Sequence, residues 1–254
     1  MAEKEAKRGA GMSTLLKVNN LVKRFGGVTA VNDCSFEVQE GSITALIGPN
    51  GSGKTTAFNI ITGYLKPDSG TIEFDGKLMA KPTPSSIYRA GLSRTFQQAR
   101  IFPELTVLEN LVISSSFGWK DLLGTRVTAA DRKRGMQTLE EFRLDKLHDL
   151  RAKDLSYGQR KLLEFASVLM SDPKLVLLDE PTAGVNPVMI ETMEKHIRDR
   201  NKAGVTFLVV EHDMRLVMRL CDPVIVLDHG SKIAEGMPEA IQSNPQVLEA
   251  YLGS

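Results

Sequence analysis

Apolar and polar positions change rhythm along this chain, and each change marks an element. Leu15–Val22 and Val31–Val38 alternate or carry β-forming side chains, which predicts two strands. Lys23-Arg24-Phe25-Gly26-Gly27 between them reads as a turn. Ser42–Ile47 reads as a buried strand, and Thr56–Leu65 after it as a helix. Pro67-Asp68-Ser69-Gly70 signals a turn, and Thr71–Phe74 ends at Asp75-Gly76, a hairpin signal. Leu92–Phe96 predicts a strand that stops at Gln97. Thr106 and Glu109 form the pattern of a capping box, and Ala129–Leu147 is a charged amphipathic helix. Its charges read mostly as a solvated face, and His148 as a structural histidine.

The second half is simpler. Arg160–Met170 predicts a strong helix, and Leu175–Leu178 a fully buried strand. Pro187 opens a helix running to about Lys202. Thr206–Val210 is another buried strand. Val224–Leu227 and Lys232–Ala234 form a hairpin around Asp228-His229-Gly230, and short helices begin near Pro238 and Pro245. Strands alternating with helices give an α/β fold. Antiparallel hairpins lie towards the N-terminus, and a helical lobe is inserted over roughly 98–152, holding the single tryptophan, Trp119.

Composition narrows the function classes. A chain of 254 residues can hold one large core or two lobes. A net charge of +1 gives no reason to expect nucleic acid as a main partner. No apolar run approaches the roughly 20 residues needed to span a bilayer. Residues 1–13 are charged, lack the apolar stretch of a signal peptide, and read as a disordered tail before a single domain over 14–254. Cys34 and Cys221 are far apart in sequence, so reduced thiols are expected and no metal site is indicated.

The candidate chemistry centres on Gly48-Pro49-Asn50-Gly51-Ser52-Gly53-Lys54-Thr55-Thr56, which fits G-x-x-x-x-G-K-[ST]. Glycines let several N–H groups point at one anion, and the following helix N-terminus adds positive dipole. Lys54 can neutralise the β- and γ-phosphates, and the Thr55 hydroxyl can sit on Mg²⁺. A glycine-rich turn could match by chance, but a strand before and a helix after argue against that. Asp179 emerges at the C-terminal end of a buried strand, where a carboxylate can hold Mg²⁺ through water. Glu180 can then act as general base towards the attacking water. His212 holds the equivalent exit on its own strand and could stabilise charge developing on a γ-phosphate. Ser156 is a natural N-cap, and Ser156 with Gly158 makes a second phosphate-binding helix start. Two such surfaces on different lobes call for a head-to-tail pair of subunits sharing each nucleotide. Phe25 could stack on a base or simply cover a core edge. Gln97 could bind Mg²⁺ and orient water, or be a plain surface glutamine.

In this order the motifs resemble those of an ATP-binding-cassette ATPase, and more narrowly the ATP-binding subunit of branched-chain amino-acid importers. The resemblance runs from about Leu15 to Gly253. Its narrower part rests on RTFQ at Arg94–Gln97, FPELTVLENL at Phe102–Leu111, LSYGQ at Leu155–Gln159, and the tail VVEHDM, CDPVIVLDHG, IAEG and NPQVLEAYLG. It implies that Phe25 stacks on adenine and that Gly48–Thr55 is the Walker A loop. Gln97 would be the Q-loop residue, Leu155–Gln159 the signature loop, Asp179 and Glu180 the Walker B pair, Ala183–Asn186 the D-loop, and His212 the switch histidine. ATP and Mg²⁺ are the implied ligands. Ser156, Gly158 and Gln159 would cap the γ-phosphate bound to a partner cassette. The implied partners are a second ATPase subunit, transmembrane permease subunits gripped through the lobe around Phe102–Trp119, and indirectly an external substrate-binding protein. The implied location is the cytoplasmic side of a membrane. Tyr157 and Asn186 stand where the common pattern has Gly and Asp. Relatives of this type also serve urea, amide and lipopolysaccharide transport. A soluble cassette of DNA repair or translation is less well matched, since this chain has one cassette and no sustained heptad. A small-molecule kinase would leave Leu155–Gln159 and His212 unexplained.

Overall fold

The computed structural model describes residues 13–96, 100–115 and 128–252. Gln97, Trp119 and most of the expected N-terminal tail lie outside these residues. Among the described residues one sheet is antiparallel, with strand order β2-β1-β4-β5. Its members are β1 (Thr14–Phe25), β2 (Val28–Gln39), β4 (Ser69–Phe74) and β5 (Lys77–Leu78). The other has the order β10-β9-β3-β8-β7-β6. It comprises β3 (Ile43–Ile47), β6 (Leu92–Arg94), β7 (Leu175–Asp179), β8 (Thr206–Val210), β9 (Val224–Asp228) and β10 (Ser231–Gly236). All its pairings are parallel except β9 with β10.

The apolar runs explain this sheet. Every residue of β3, β7 and β8 is buried. Successive side chains point to opposite faces, so one strand feeds two cores. Ile43, Ala45, Ile47, Val176, Leu178, Phe207 and Val209 enter one core, and Leu46, Leu175, Leu177, Leu208 and Val210 enter the other. The second core also takes α1 (Lys54–Ile61) through Ala57, Phe58, Ile60 and Ile61, together with Leu16, Val18, Phe36 and Phe74 of the antiparallel sheet. Helix α1 is thus clasped between the two sheets. After it comes α2 (Pro84–Arg89), capped by Thr83.

The first core collects the remaining helices. They are α3 (Val107–Ser115), α4 (Ala129–Glu141), α5 (Tyr157–Leu169), α6 (Pro187–Lys202) and α7 (Met214–Leu220). Phe165 on α5 meets Phe142 edge-on at 5.7 Å between ring centres and Phe207 of β8 at 6.3 Å. It therefore ties the helices to the sheet. The chain closes with α8 (Pro238–Gln242) and α9 (Pro245–Leu252). Cys34 and Cys221 sit in different cores, and burial pushes their thiols up to about 11 and about 12.

Several expected boundaries move. The first strand runs on to Phe25, and only Gly26-Gly27 turn. The charged amphipathic helix stops at Glu141, and a separate 3-10 turn covers Asp145–Leu147. Thr106 and Glu109 do form a capping box: each backbone N–H donates to the other's side chain, at 2.8 and 3.2 Å. His148 is structural, its Nδ1 lying 2.8 Å from the Asp145 carbonyl. Replacing Phe165 by alanine should cost about 3–5 kcal/mol, because it empties the contact between helices and sheet. The urea midpoint of unfolding would show it.

Candidate functional site

The site forms where β3, β7 and β8 end side by side. Residues 48–53 leave β3 and enter α1, which starts at Lys54, two residues earlier than the apolar pattern suggests. Lys54, Thr55 and Thr56 therefore form the first helical turn. Gly53 caps it in the left-handed region at φ +98°, and a Cβ there would lie 2.3 Å from the Ala30 carbonyl oxygen. A Cβ on Gly48 would lie 2.1 Å from the Leu227 carbonyl oxygen, so the loop is packed on both flanks. The Gly230 N–H donates to the Ser52 carbonyl at 3.1 Å, bracing the loop with the turn between β9 and β10. Tyr251 on α9 is hydrogen-bonded to the Gly48 backbone. Pro49, Asn50, Gly51 and Ser52 also line a cavity of about 640 Å³ together with Asp228, Gln246 and Glu249. Its carboxylates make it a poor cradle for phosphate.

Lys54 turns back over its own loop. Its Nζ donates to the Gly48 and Pro49 carbonyls at 2.8 and 2.9 Å and to Ser52 Oγ at 3.3 Å. Burial lowers its pKa, while Glu180 and Asp179 oppose that shift. An anion in the loop would supply the negative charge that these carbonyls now offer only as dipoles.

Asp179 is the last residue of β7 and is nearly buried. Its N–H donates to Thr95 Oγ1 at 3.2 Å, and its Oδ2 accepts from Arg94 Nη2 at 2.6 Å. Glu180 follows in the left-handed region at φ +47°. That conformation costs a non-glycine residue of order 1–3 kcal/mol and persists only where surrounding structure enforces it. Here it carries Glu180 Oε1 to 3.0 Å from His212 Nε2. His212 is in turn fixed by Glu211, whose Oε2 accepts the His212 N–H at 3.1 Å. Glu211 Oε1 accepts the N–H and hydroxyl of Thr182 at 3.0 and 2.6 Å. The buried Glu211 thus locks the exit of β8 to the loop after β7.

The remaining predicted residues are more scattered. Phe25 stands half-exposed at the end of β1, with Lys23 Nζ 5.5 Å from its ring centre. Ser156 caps α5: its Oγ accepts from the Gln159 N–H at 3.3 Å, and Gln159 Oε1 accepts the Ser156 N–H at 2.9 Å. Gly158 faces Met189, which a Cβ there would approach at 3.4 Å. Among the described residues no hydrogen bond or ion pair joins Ser156, Gly158 or Gln159 to the loop at 48–55. Tyr157 lies against Gly184, where a Cβ would come within 3.2 Å of its ring. Asn186 caps α6 by accepting the Met189 N–H at 3.0 Å.

A sequence profile described as ABC transporter matches residues 31–183. The chain belongs to that family. A second profile, branched-chain amino acid ATP-binding cassette transporter, matches residues 231–254. The probable branched-chain amino acid transport ATP-binding protein LivG of Archaeoglobus fulgidus is 42% identical over 247 residues, 94% of this chain and 96% of that one. The high-affinity LivG protein of Escherichia coli K12 is 40% identical over 249 residues, 94% and 98% of the two chains. A solved nucleotide-free ATP-binding cassette superposes with a TM-score of 0.86 at 35% identity, over 95% of this chain and all of that one. A cassette in its ADP conformation gives 0.85 at 36%, over 95% and 100%. A dimeric cassette bound to ADP and Pi gives 0.79 at 26%, over 88% and 99%.

Sequence reasoning missed three side chains of this ABC cassette: Arg94, Glu164 and Lys161. Glu164 Oε1 accepts the N–H groups of both Phe96 and Arg100 at 3.1 Å, and Lys161 Nζ donates to the Phe96 carbonyl at 3.3 Å. Helix α5, capped by Ser156, therefore holds Phe96 and Arg100, on either side of the Gln97 segment. Burial raises the Glu164 pKa, against the N–H bonds from Arg100 and Phe96 and the charge of Lys161. A carboxyl raised in this way contributes stability at acid pH and loses it as pH climbs through its folded value. Wild type should therefore lose stability relative to Glu164→Gln as pH rises above the ordinary carboxylate range. Glu164→Ala leaves both N–H groups without an acceptor and should lose about 1–3 kcal/mol. Denaturation midpoints from acid to neutral pH would separate the two variants.

Proposed function

We propose that this cassette is the ATP-hydrolysing subunit of a membrane importer for branched-chain or other hydrophobic amino acids. The observation that carries the reading is the convergence of the Lys54 loop, Asp179, Glu180 and His212 at the ends of three adjacent parallel strands. The match of residues 231–254 to a branched-chain cassette profile favours amino acids over urea, amide or lipopolysaccharide as cargo. Among the described residues no helix is long and apolar enough to cross a membrane, so passage of cargo falls to permease subunits.

Each residue then has a task. Gly48 and Pro49 shape the loop, and the backbone N–H groups of Asn50 to Gly53 and of the first turn of α1 at Lys54, Thr55 and Thr56 take the phosphates. Lys54 moves from its loop carbonyls to the β- and γ-phosphates. Phe25 stacks on the base. Thr55 and Asp179 offer hard oxygens to Mg²⁺, and Gln97 is assigned to the same ion from its sequence motif. The donor set fits: a hydroxyl at the first turn of α1 and a carboxylate at the end of β7 are the hard oxygens such an ion takes, its other positions going to phosphates and waters. When bound, Mg²⁺ would neutralise charge on the phosphate oxygens. Glu180 takes a proton from the water attacking the γ-phosphorus in line, as the bond to the β–γ bridging oxygen breaks. His212 holds Glu180 in place and faces the developing charge. Ser156, Gly158 and Gln159 cap the γ-phosphate bound to a second cassette. ATP binding thereby closes a dimer, and α5 passes that closure to the Gln97 segment and the permease.

Glu180→Gln should abolish phosphate release while keeping ATP binding, and should trap an ATP-dependent dimer. Light scattering that finds only monomer under saturating ATP would sink the shared-site reading. For the transport assignment, a tagged chain at natural abundance should co-purify from native membranes with permease subunits and a second cassette. Soluble partners alone, with the chain absent from membranes, would overturn the assignment while leaving the ATPase intact.

A further inference from the structure

Arg94 has no part in the chemistry above, yet it is among the most tightly held charges in the molecule. It ends β6, at the edge of the sheet, with its side chain almost wholly buried. Nη2 lies 2.6 Å from Asp179 Oδ2. Nη1 donates to Asn59 Oδ1 at 2.7 Å and to Thr62 Oγ1 at 3.2 Å, at the far end of the helix that begins with Lys54. The guanidinium carbon lies 5.5 Å from the Phe58 ring centre and 5.0 Å from that of Phe96. Buried Nε has no acceptor among the described residues. One cation is thus clamped by α1 and aimed at a single carboxylate oxygen.

A buried carboxylate needs a compensating charge. Lys54 is turned towards its loop carbonyls, so in this conformation Arg94 supplies that charge. A divalent ion arriving at Asp179 meets a carboxylate already neutralised by a cation that cannot lose its proton. Its hold on the protein alone is correspondingly weak, and nucleotide phosphates must supply the missing negative charge.

We propose that Arg94 is a positioning residue for the metal position. It stands in for the divalent ion on Asp179 in the empty cassette, and so makes metal binding conditional on the nucleotide. The inference rests on the reading of Asp179 as the carboxylate on the Mg²⁺ side.

Mn²⁺ is the probe, titrated into the full chain by electron paramagnetic resonance of the free ion, without nucleotide and with ADP. Wild type should bind Mn²⁺ weakly alone and well with ADP. Arg94→Met should bind Mn²⁺ alone about tenfold tighter or more, as expected on removing a cation from beside a carboxylate. Its melting temperature should rise with Mn²⁺ alone, whereas that of wild type should not move. Arg94→Lys, which keeps the charge, should stay near wild type, and Arg94→Met with Asp179→Asn should lose the gain. Should Arg94→Met fail to fold, Asn59→Ala with Thr62→Val loosens the clamp and should shift Mn²⁺ affinity in the same direction. Unchanged Mn²⁺ affinity in the folded variants, while Asp179→Asn still weakens Mn²⁺ binding with ADP, would overturn the role of Arg94 alone. Unchanged affinity in Asp179→Asn would overturn the underlying metal assignment.

Discussion

The central strands of this cassette are covered on both faces, and that constraint decides where its chemistry can be. Along β3, β7 and β8 every apolar side chain belongs to one of two cores, and a polar group there needs a protein partner, as Thr44 finds in the Ser42 hydroxyl at 2.9 Å. Only at the strand ends does the chain escape. Because the three strands are parallel neighbours, their C-terminal ends open at one place. The phosphate loop, Asp179-Glu180 and Glu211-His212 are these escapes. Their proximity follows from the burial of the sheet and needs no separate explanation.

Around that edge, the structure uses buried charges as fasteners. Glu211 joins β8 to the loop after β7, Arg94 joins β6 to β7 and α1, and Glu164 joins α5 to the backbone of Phe96 and Arg100. The two glutamates accept from N–H and hydroxyl donors that would otherwise be stranded, and Arg94 donates to side-chain oxygens. Strain at Glu180 belongs to the same scheme, since its left-handed backbone survives only between anchors on either side.

The sequence made the strands, the phosphate loop and the acidic and histidine exits readable, because unbroken apolar runs and fixed spacings are local signals. The start of α1 was less readable: Gly53 in a left-handed conformation lets the helix begin inside the motif. Arg94 in a short edge strand looks like a residue bound for solvent, and only tertiary packing against Phe58 and Phe96 buries it. Glu164 and Lys161 sit in a helix whose charges suggest an exposed stripe, and nothing nearby in sequence marks them as partners of residues 96 and 100. At the two departures from the family pattern, Tyr157 packs on Gly184, and Asn186 caps α6 before Pro187, a job an aspartate would do equally well. The contact of Tyr251 with Gly48 joins positions some two hundred residues apart, beyond the reach of any local pattern.

The two cysteines have a practical consequence. Each sulfur is sealed inside a different core, with its thiolate disfavoured at neutral pH. The folded protein is therefore quiet towards maleimides and other thiol-directed labels. A single cysteine introduced on the surface becomes a lone chemical handle, and spin labels, fluorophores or cross-linkers can follow the cassette's movements without first stripping out its native sulfurs.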